Sequence, residues 1–93
     1  MSTEIHDDQL RSRWEARVDG DLAGTAAYER DGDTVTFTHT VVDDAHEGQG
    51  VGSALARTAL DSAREQNLTV VPQCSFIAGW IDRHPEYGDL VAG

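Results

Sequence analysis

Polar and apolar residues alternate along residues 12–18, with Ser12, Trp14, Ala16 and Val18 on one side and Arg13, Glu15 and Arg17 on the other. A period of two is the signature of a half-buried strand. Asp19-Gly20-Asp21 reads as a turn, residues 22–30 as a second strand, Asp31-Gly32 as a hairpin turn, and the β-branched run 34–42 as a third strand. The product is an antiparallel meander. A two-residue turn at Asp31-Gly32 predicts Tyr28 opposite Val35, Ala26 opposite Phe37, Gly24 opposite His39 and Leu22 opposite Val41. A three-residue loop before Leu22 sets Val18 against Leu22, Ala16 beside Gly24 and Trp14 beside Ala26, all on that same apolar face. The opposite face carries Ala23, Thr25, Ala27, Thr36, Thr38 and Thr40, and is read as the smaller, more polar one.

From residue 51 to 66 the period becomes helical. Val51, Leu55, Ala56, Ala59, Leu60 and Ala63 form a stripe, while Arg57, Asp61, Arg64 and Glu65 point to water. Asn67 ends this helix, residues 68–71 form a short strand, and Pro72 stops it. Strand, helix, strand implies a parallel crossover. A last helix over 76–83 places Phe76 near Trp80 and Ile77 near Ile81, and Pro85 keeps His84 out of helical geometry. The fold class is therefore mixed α/β (α+β): a three-stranded antiparallel meander, a helix, a parallel fourth strand and a short C-terminal helix. One domain over 1–93 is expected, with residues 1–10, polar and unpatterned, as a flexible or poorly ordered N-terminus.

Composition narrows the function. All seven basic residues are arginine, so neither a P-loop lysine nor a Schiff-base lysine exists. Seventeen acids give a net charge of -10, which repels a nucleic-acid backbone. No apolar run approaches a membrane span, and the acidic start of the chain lacks the basic-then-apolar order of a secretory leader, so a cytoplasmic protein that binds neither nucleic acid nor membrane is expected. A monomer or weak dimer is the expected state. The excess of carboxylates fits a salt-rich cytoplasm or a GC-rich coding bias equally well. One cysteine, Cys74, excludes an internal disulfide and a cysteine zinc site; His39, His46 and Glu47 match no ligand spacing, and no metal is expected.

The most informative stretch is Glu47-Gly48-Gln49-Gly50-Val51-Gly52-Ser53, three alternating glycines where a strand hands over to a helix. Such a loop lets backbone amides converge on an anion, aided by the helix N-terminus, even in a chain without lysine. The alternative is a flexible turn that binds nothing. A dinucleotide fingerprint is set aside because its third glycine is Ser53 and the loop follows an antiparallel meander.

With the later block Val-Val-Pro-Gln-Cys-Ser-Phe-Ile-Ala-Gly-Trp-Ile-Asp-Arg-His-Pro-Glu-Tyr, this loop and its Gly-Ser-Ala-Leu helix start resemble the GNAT superfamily of acetyl-CoA-dependent N-acetyltransferases. Within it, the chain resembles the short subgroup often called YjdJ-type. The likeness covers residues 14–87, and the second block is the more specific. Two departures stand out: Glu47 where the family has Gln or Arg, and Cys74-Ser75-Phe76 where the subgroup has Cys-Pro-Phe, with Ser75 expected to cap the helix.

The resemblance implies a minimal GNAT-like fold with a V-shaped opening between strands 34–42 and 68–71. Acetyl-CoA would be the cosubstrate and an amine the acceptor. Pantetheine would pair with backbone near Val41 and Val42, and pyrophosphate would rest on the loop from Glu47 through Gly48, Gln49, Gly50, Val51 and Gly52 to Ser53, with Arg57 as an added contact. An acidic surface favours cationic acceptors. The alternative is a CoA-binding or sensing module with little or no turnover; an interaction domain without a ligand is a third reading.

Cys74 precedes a helix whose N-terminus favours thiolate. It is read as a nucleophile that accepts the acetyl group, as pocket lining while the amine attacks directly, or as an inert packed residue, and direct attack is favoured. His39, predicted on the apolar face opposite Gly24, is either a general base reached through water or a core histidine. His84 and Tyr87 are weaker candidates for closing the site, with the tyrosine as a proton donor to the leaving thiolate.

Overall fold

The computed structural model describes residues 3–46 and 48–91. A five-stranded sheet runs in sequence order: β1 (Thr3–Asp8), β2 (Arg13–Val18), β3 (Asp21–Asp31), β4 (Thr34–Val42) and β5 (Thr69–Pro72). The first four strands are antiparallel and β5 lies parallel to β4. Helix α1 (Val51–Glu65) makes the crossover between β4 and β5, α2 (Ser75–Arg83) follows β5, and 3₁₀ turns occupy Asp44–His46 and Pro85–Leu90.

The meander, crossover helix, parallel strand and last helix stand where the residue pattern predicts them. The N-terminal segment differs. Thr3–Asp8, expected to lack order, pairs along the whole of β2, with Ile5 opposite Ala16 and Asp7 opposite Trp14. Its inward positions are Thr3, Ile5 and Asp7, so a single apolar residue marks the face and no periodicity announces the strand. Met1 and Ser2 lie outside the described residues.

A displaced hairpin turn and two bulges overturn the predicted register: the turn is Gly32-Asp33, not Asp31-Gly32, with Asp31 paired to Thr34 and Arg30 to Val35. Between β3 and β4, Tyr28 pairs with Phe37 but Ala27 pairs with His39, so Thr38 is an extra residue on β4, and its hydroxyl donates to the Ala27 carbonyl at 3.4 Å. An extra residue reverses the alternation beyond it. Phe37 stays in the core, 1% exposed, while Thr40 and Val42 turn toward the helices, opposite Ala26 and Gly24; His39 and Val41 turn outward, Val41 to 47% exposure. Tyr28–Val35 is lost to the turn itself, which places Val35 opposite Arg30, and the pairs Gly24–His39, Ala26–Phe37 and Leu22–Val41 do not form either. Between β2 and β3, Trp14–Ala26 and Ala16–Gly24 form as predicted, but Ala23 is then extra, and Leu22 pairs with Arg17 on the outer face. Ala23 is fully buried instead.

The helices cover one face of the sheet. Val51 and Leu55 at the start of α1 pack on Ala16, Val18 and Ala23. Ala56, Ala59, Leu60 and Ala63 meet Val35, Phe37, Leu68 and Val70, joined by Ile77, Trp80 and Ile81 of α2. Gly24 makes the first contact possible: a Cβ there would lie 2.9 Å from the Val41 carbonyl oxygen and 3.1 Å from Val51. Its missing side chain makes room for α1 rather than for His39. Asn67, at φ 57°, closes α1 as predicted. Leu68 N–H donates to the Ala63 carbonyl at 2.8 Å, and Asn67 N–H to that of Arg64 at 3.1 Å, which satisfies two terminal carbonyls.

Candidate functional site

β4 and β5 part company at one point. Their last pair is Phe37–Pro72, the Cys74 N–H then donates to the Phe37 carbonyl at 2.8 Å, and β4 continues to Val42 with no β5 partner. Proline cannot donate to the ladder, so the separation is built into the sequence at Pro72. Val41 and Val42 pair with Thr25 and Gly24 on one edge and leave the other edge along this opening.

The N-terminus of α1 faces the same opening. Gly50 is its N-cap at φ 77°, and Gly48 has φ 81°, left-handed conformations that glycine adopts without steric cost. A Cβ at either would meet nothing within 4 Å. The first bond at this end is from Ala54 N–H to the Gly50 carbonyl, 3.0 Å, so the N–H groups of Val51, Gly52 and Ser53 precede the intrahelical ladder, and among the described residues no side chain caps them. These are the groups an anion needs. Gln49 holds back toward the strand end: its N–H donates to the His46 carbonyl at 3.4 Å, and its Oε1 lies 3.2 Å from His46 Nδ1. Glu47 lies outside the described residues.

A cavity of about 350 Å³ lies at this helix start, floored by Val42 and the loop glycines and walled by Phe76, Trp80, Arg83 and His84 of α2 and its end. Two predicted loop residues serve packing. A Cβ on Gly52 would lie 2.6 Å from Phe76 Cζ, so this glycine admits the Phe76 ring. Ser53 Oγ accepts the Trp80 indole N–H at 2.9 Å and ties α2 to α1. His84 stacks on Trp80 with ring centroids 3.8 Å apart, while Nδ1 lies 2.7 Å from the Trp80 carbonyl oxygen. The Arg57 guanidinium lies over the Trp80 ring, 5.5 Å from its centroid, and it is Arg83 that lines the cavity. Sequence reasoning missed Phe76, Trp80 and Arg83 as walls, although the spacing of 76, 80 and 83 on one helix face was visible.

Cys74 is the N-cap of α2 and 8% exposed, with no side-chain cap; Ser75, expected to cap, is the first helical residue. The Cys74 thiol points across the opening to Thr40 Oγ1 at 3.3 Å. Burial opposes its ionisation, but the Thr40 hydroxyl and the N–H groups of Ile77 and Phe76 outweigh that and hold the thiol below its ordinary range. Thr40, predicted on the polar face, is thus the partner of the cysteine, while His39 next to it faces outward from β4. Tyr87 is committed elsewhere: it is buried and donates to Asp61 Oδ1 at 2.6 Å, about two turns along α1 from Ser53.

The chain is similar to known proteins over most of its length. The profile of the GCN5-related N-acetyl-transferase family matches residues 13–90. Protein NATD1 of Xenopus tropicalis is 32% identical over 87 residues, spanning 90% of this chain and 79% of that protein. The solution structure of a GCN5-like protein from Staphylococcus aureus superposes with a TM-score of 0.75 at 27% identity, covering 97% of this chain and 88% of that one. The structure of yncA from Salmonella typhimurium with its cofactor acetyl-CoA covers 86% of this chain and 51% of that one, at 25% identity and a TM-score of 0.54. Parted strands, a glycine-bounded helix start and a profile match over most of its length agree, and the chain belongs to the GCN5-related N-acetyltransferase family.

Proposed function

We propose that the chain is an acetyl-CoA-dependent N-acetyltransferase of the short YjdJ-type subgroup, working as a single domain on a small or side-chain amine. The observation that carries this reading is the parting of β4 and β5 beyond Phe37–Pro72, directly beside the uncapped start of α1. Acetyl-CoA supplies the acetyl group already activated as a thioester.

The chain's own residues then have these tasks. N–H groups from Gly50 to Ser53 hold the pyrophosphate, with Gly48 and Gln49 shaping the turn and Arg83 adding a cation at the cavity wall. The free edge at Val41 and Val42 binds and orients the pantetheine amides. Glu47, at the head of the loop, belongs to the same binding segment. Phe76 and Trp80 exclude water from the apolar wall.

The two faces of β4 divide the remaining work. Thr40 and Cys74 line the gap on the helix side, and His39 lies on the open side of the sheet, where no described helix covers it. An amine that enters from the open side meets the imidazole of His39, which takes its proton directly or through one water. The net charge of -10 favours a cationic acceptor. Mass spectrometry of the protein with acetyl-CoA and a panel of polyamines and basic peptides tests the reading: acetylated amine that depends on the protein supports it, and CoA bound without any acetylated product favours a sensing module instead.

A further inference from the structure

A second cavity, about 280 Å³, lies at the opposite end of α1 from the glycine loop, about 20 Å away by helix rise. Its floor is Trp14, Val35, Phe37, Ala59, Ala63 and Leu68. It exists because α1 presents alanine at two positions one turn apart over the sheet, where larger side chains would fill the space. Its volume lies just below the range of about 300 to 1,000 Å³ typical of sites for drug-sized ligands, so its occupant is small.

The rim carries two opposite charges. Asp7 Oδ1 accepts the Tyr28 hydroxyl at 2.6 Å, which leaves its second oxygen for another donor. Arg30 follows Tyr28 by two residues on β3, about 7 Å along the strand and on the same face. Its Nε donates to the Gly32 carbonyl at 3.2 Å and its Nη1 to Gln66 Oε1 at 3.0 Å; both acceptors are neutral, so its charge is not matched there by a carboxylate. One carboxylate and one guanidinium over an apolar floor complement a molecule with one ammonium, one carboxylate and an apolar side chain.

We propose that this cavity binds a free α-amino acid with an apolar side chain, its ammonium on Asp7, its carboxylate on Arg30 and its side chain against Trp14 and Phe37. The site is independent of the acetyl-transfer reading. Backbone amide NMR of the full chain tests it with L-phenylalanine, alongside 2-phenylethylamine and 3-phenylpropionate, which keep one charge each. L-Phenylalanine is expected to shift Trp14, Tyr28, Ser62 and Gln66 and to leave residues 48–53 unmoved, with a dissociation constant of about 1 mM or lower. Each one-charge analogue binds about tenfold more weakly. Arg30→Gln, at an exposed position, weakens the amino acid by a similar factor and leaves 2-phenylethylamine unchanged, while Asp7→Asn weakens both. No shift at these amides with any of the three compounds up to about 10 mM, or a one-charge analogue within twofold of the amino acid, overturns the proposal.

Discussion

The Cys74 thiol and the Thr40 hydroxyl meet at 3.3 Å across the gap between β5 and β4. The contact depends on the extra residue Thr38, since without it Thr40 would face away from the helices. It gives the cysteine a partner that favours its charged form.

Removing that partner has a defined sign. Because the folded thiol titrates below its ordinary value, alkylation by iodoacetamide reaches half its maximal rate at a lower pH than for a free thiol. Thr40→Val keeps the shape, removes the hydroxyl and is expected to move that midpoint upward. An unchanged midpoint would show that the N–H groups of Phe76 and Ile77 alone set the thiol.

The loop glycines separate two demands that look alike in the sequence. Gly50 has open space around it but a positive φ, so Gly50→Ala stores strain of about 1 to 2 kcal/mol at the helix cap and lowers both melting temperature and CoA affinity. Gly52 has no such φ but no room. Gly52→Ala drives the Phe76 ring from its place and weakens CoA binding through the cavity wall, and Gly52→Ala combined with Phe76→Leu restores part of it. Calorimetry with CoA on the folded variants checks each expectation.

These cases mark what the sequence made legible. Strong periodicity gave the meander and α1, because every strand position but a few is decided by burial. A bulge is one residue long and leaves the apolar pattern locally plausible in either register, so Thr38 and Ala23 passed unnoticed and His39 and Thr40 were set on the wrong faces. β1 was hidden for the opposite reason: backbone pairing with β2 holds it, and Ile5 alone marks its inner side. The glycine loop was legible as a segment, but Gly52 and Ser53 answer to Phe76 and Trp80, and only the packing of α2 on α1 makes that visible.

Alkaline pH is expected to destabilise the fold through two tyrosines. Burial, then the hydrogen bond to Asp7, raises Tyr28; the hydrogen bond to Asp61, then burial, raises Tyr87. The unfolded chain therefore ionises first. Stability from both phenols is complete below about pH 10 and is lost as pH rises toward the folded values. Tyr87→Phe, which costs about 1 kcal/mol at neutral pH, flattens this alkaline limb in chemical denaturation.

Salt acts on the fold in the other direction from ligand binding. Screening relieves repulsion among seventeen acids and weakens attraction between phosphate and loop amides. The melting temperature is expected to rise in molar potassium chloride while CoA affinity falls. A melting temperature that stays flat or drops removes charge repulsion as a limit on this fold.

Cys74 decides between two routes for the acetyl group. As a nucleophile it would carry an acetyl group after exposure to acetyl-CoA alone, adding about 42 Da to its peptide, and Cys74→Ala would end transfer. Direct attack by the amine leaves no adduct, and Cys74→Ala keeps most of the activity while His39→Gln loses it at neutral pH. We expect direct attack. Among the described residues the sulfur has a hydroxyl partner in Thr40 but no base, since His39 is turned to the other face of β4 and cannot take the thiol proton from there. The same placement puts His39 on the side from which an amine would enter. Cys74 should nonetheless be labelled quickly by iodoacetamide in the free protein and slowly once CoA fills the opening. Equal rates with and without CoA would place the cofactor away from the gap between β4 and β5, and with it both routes would fall.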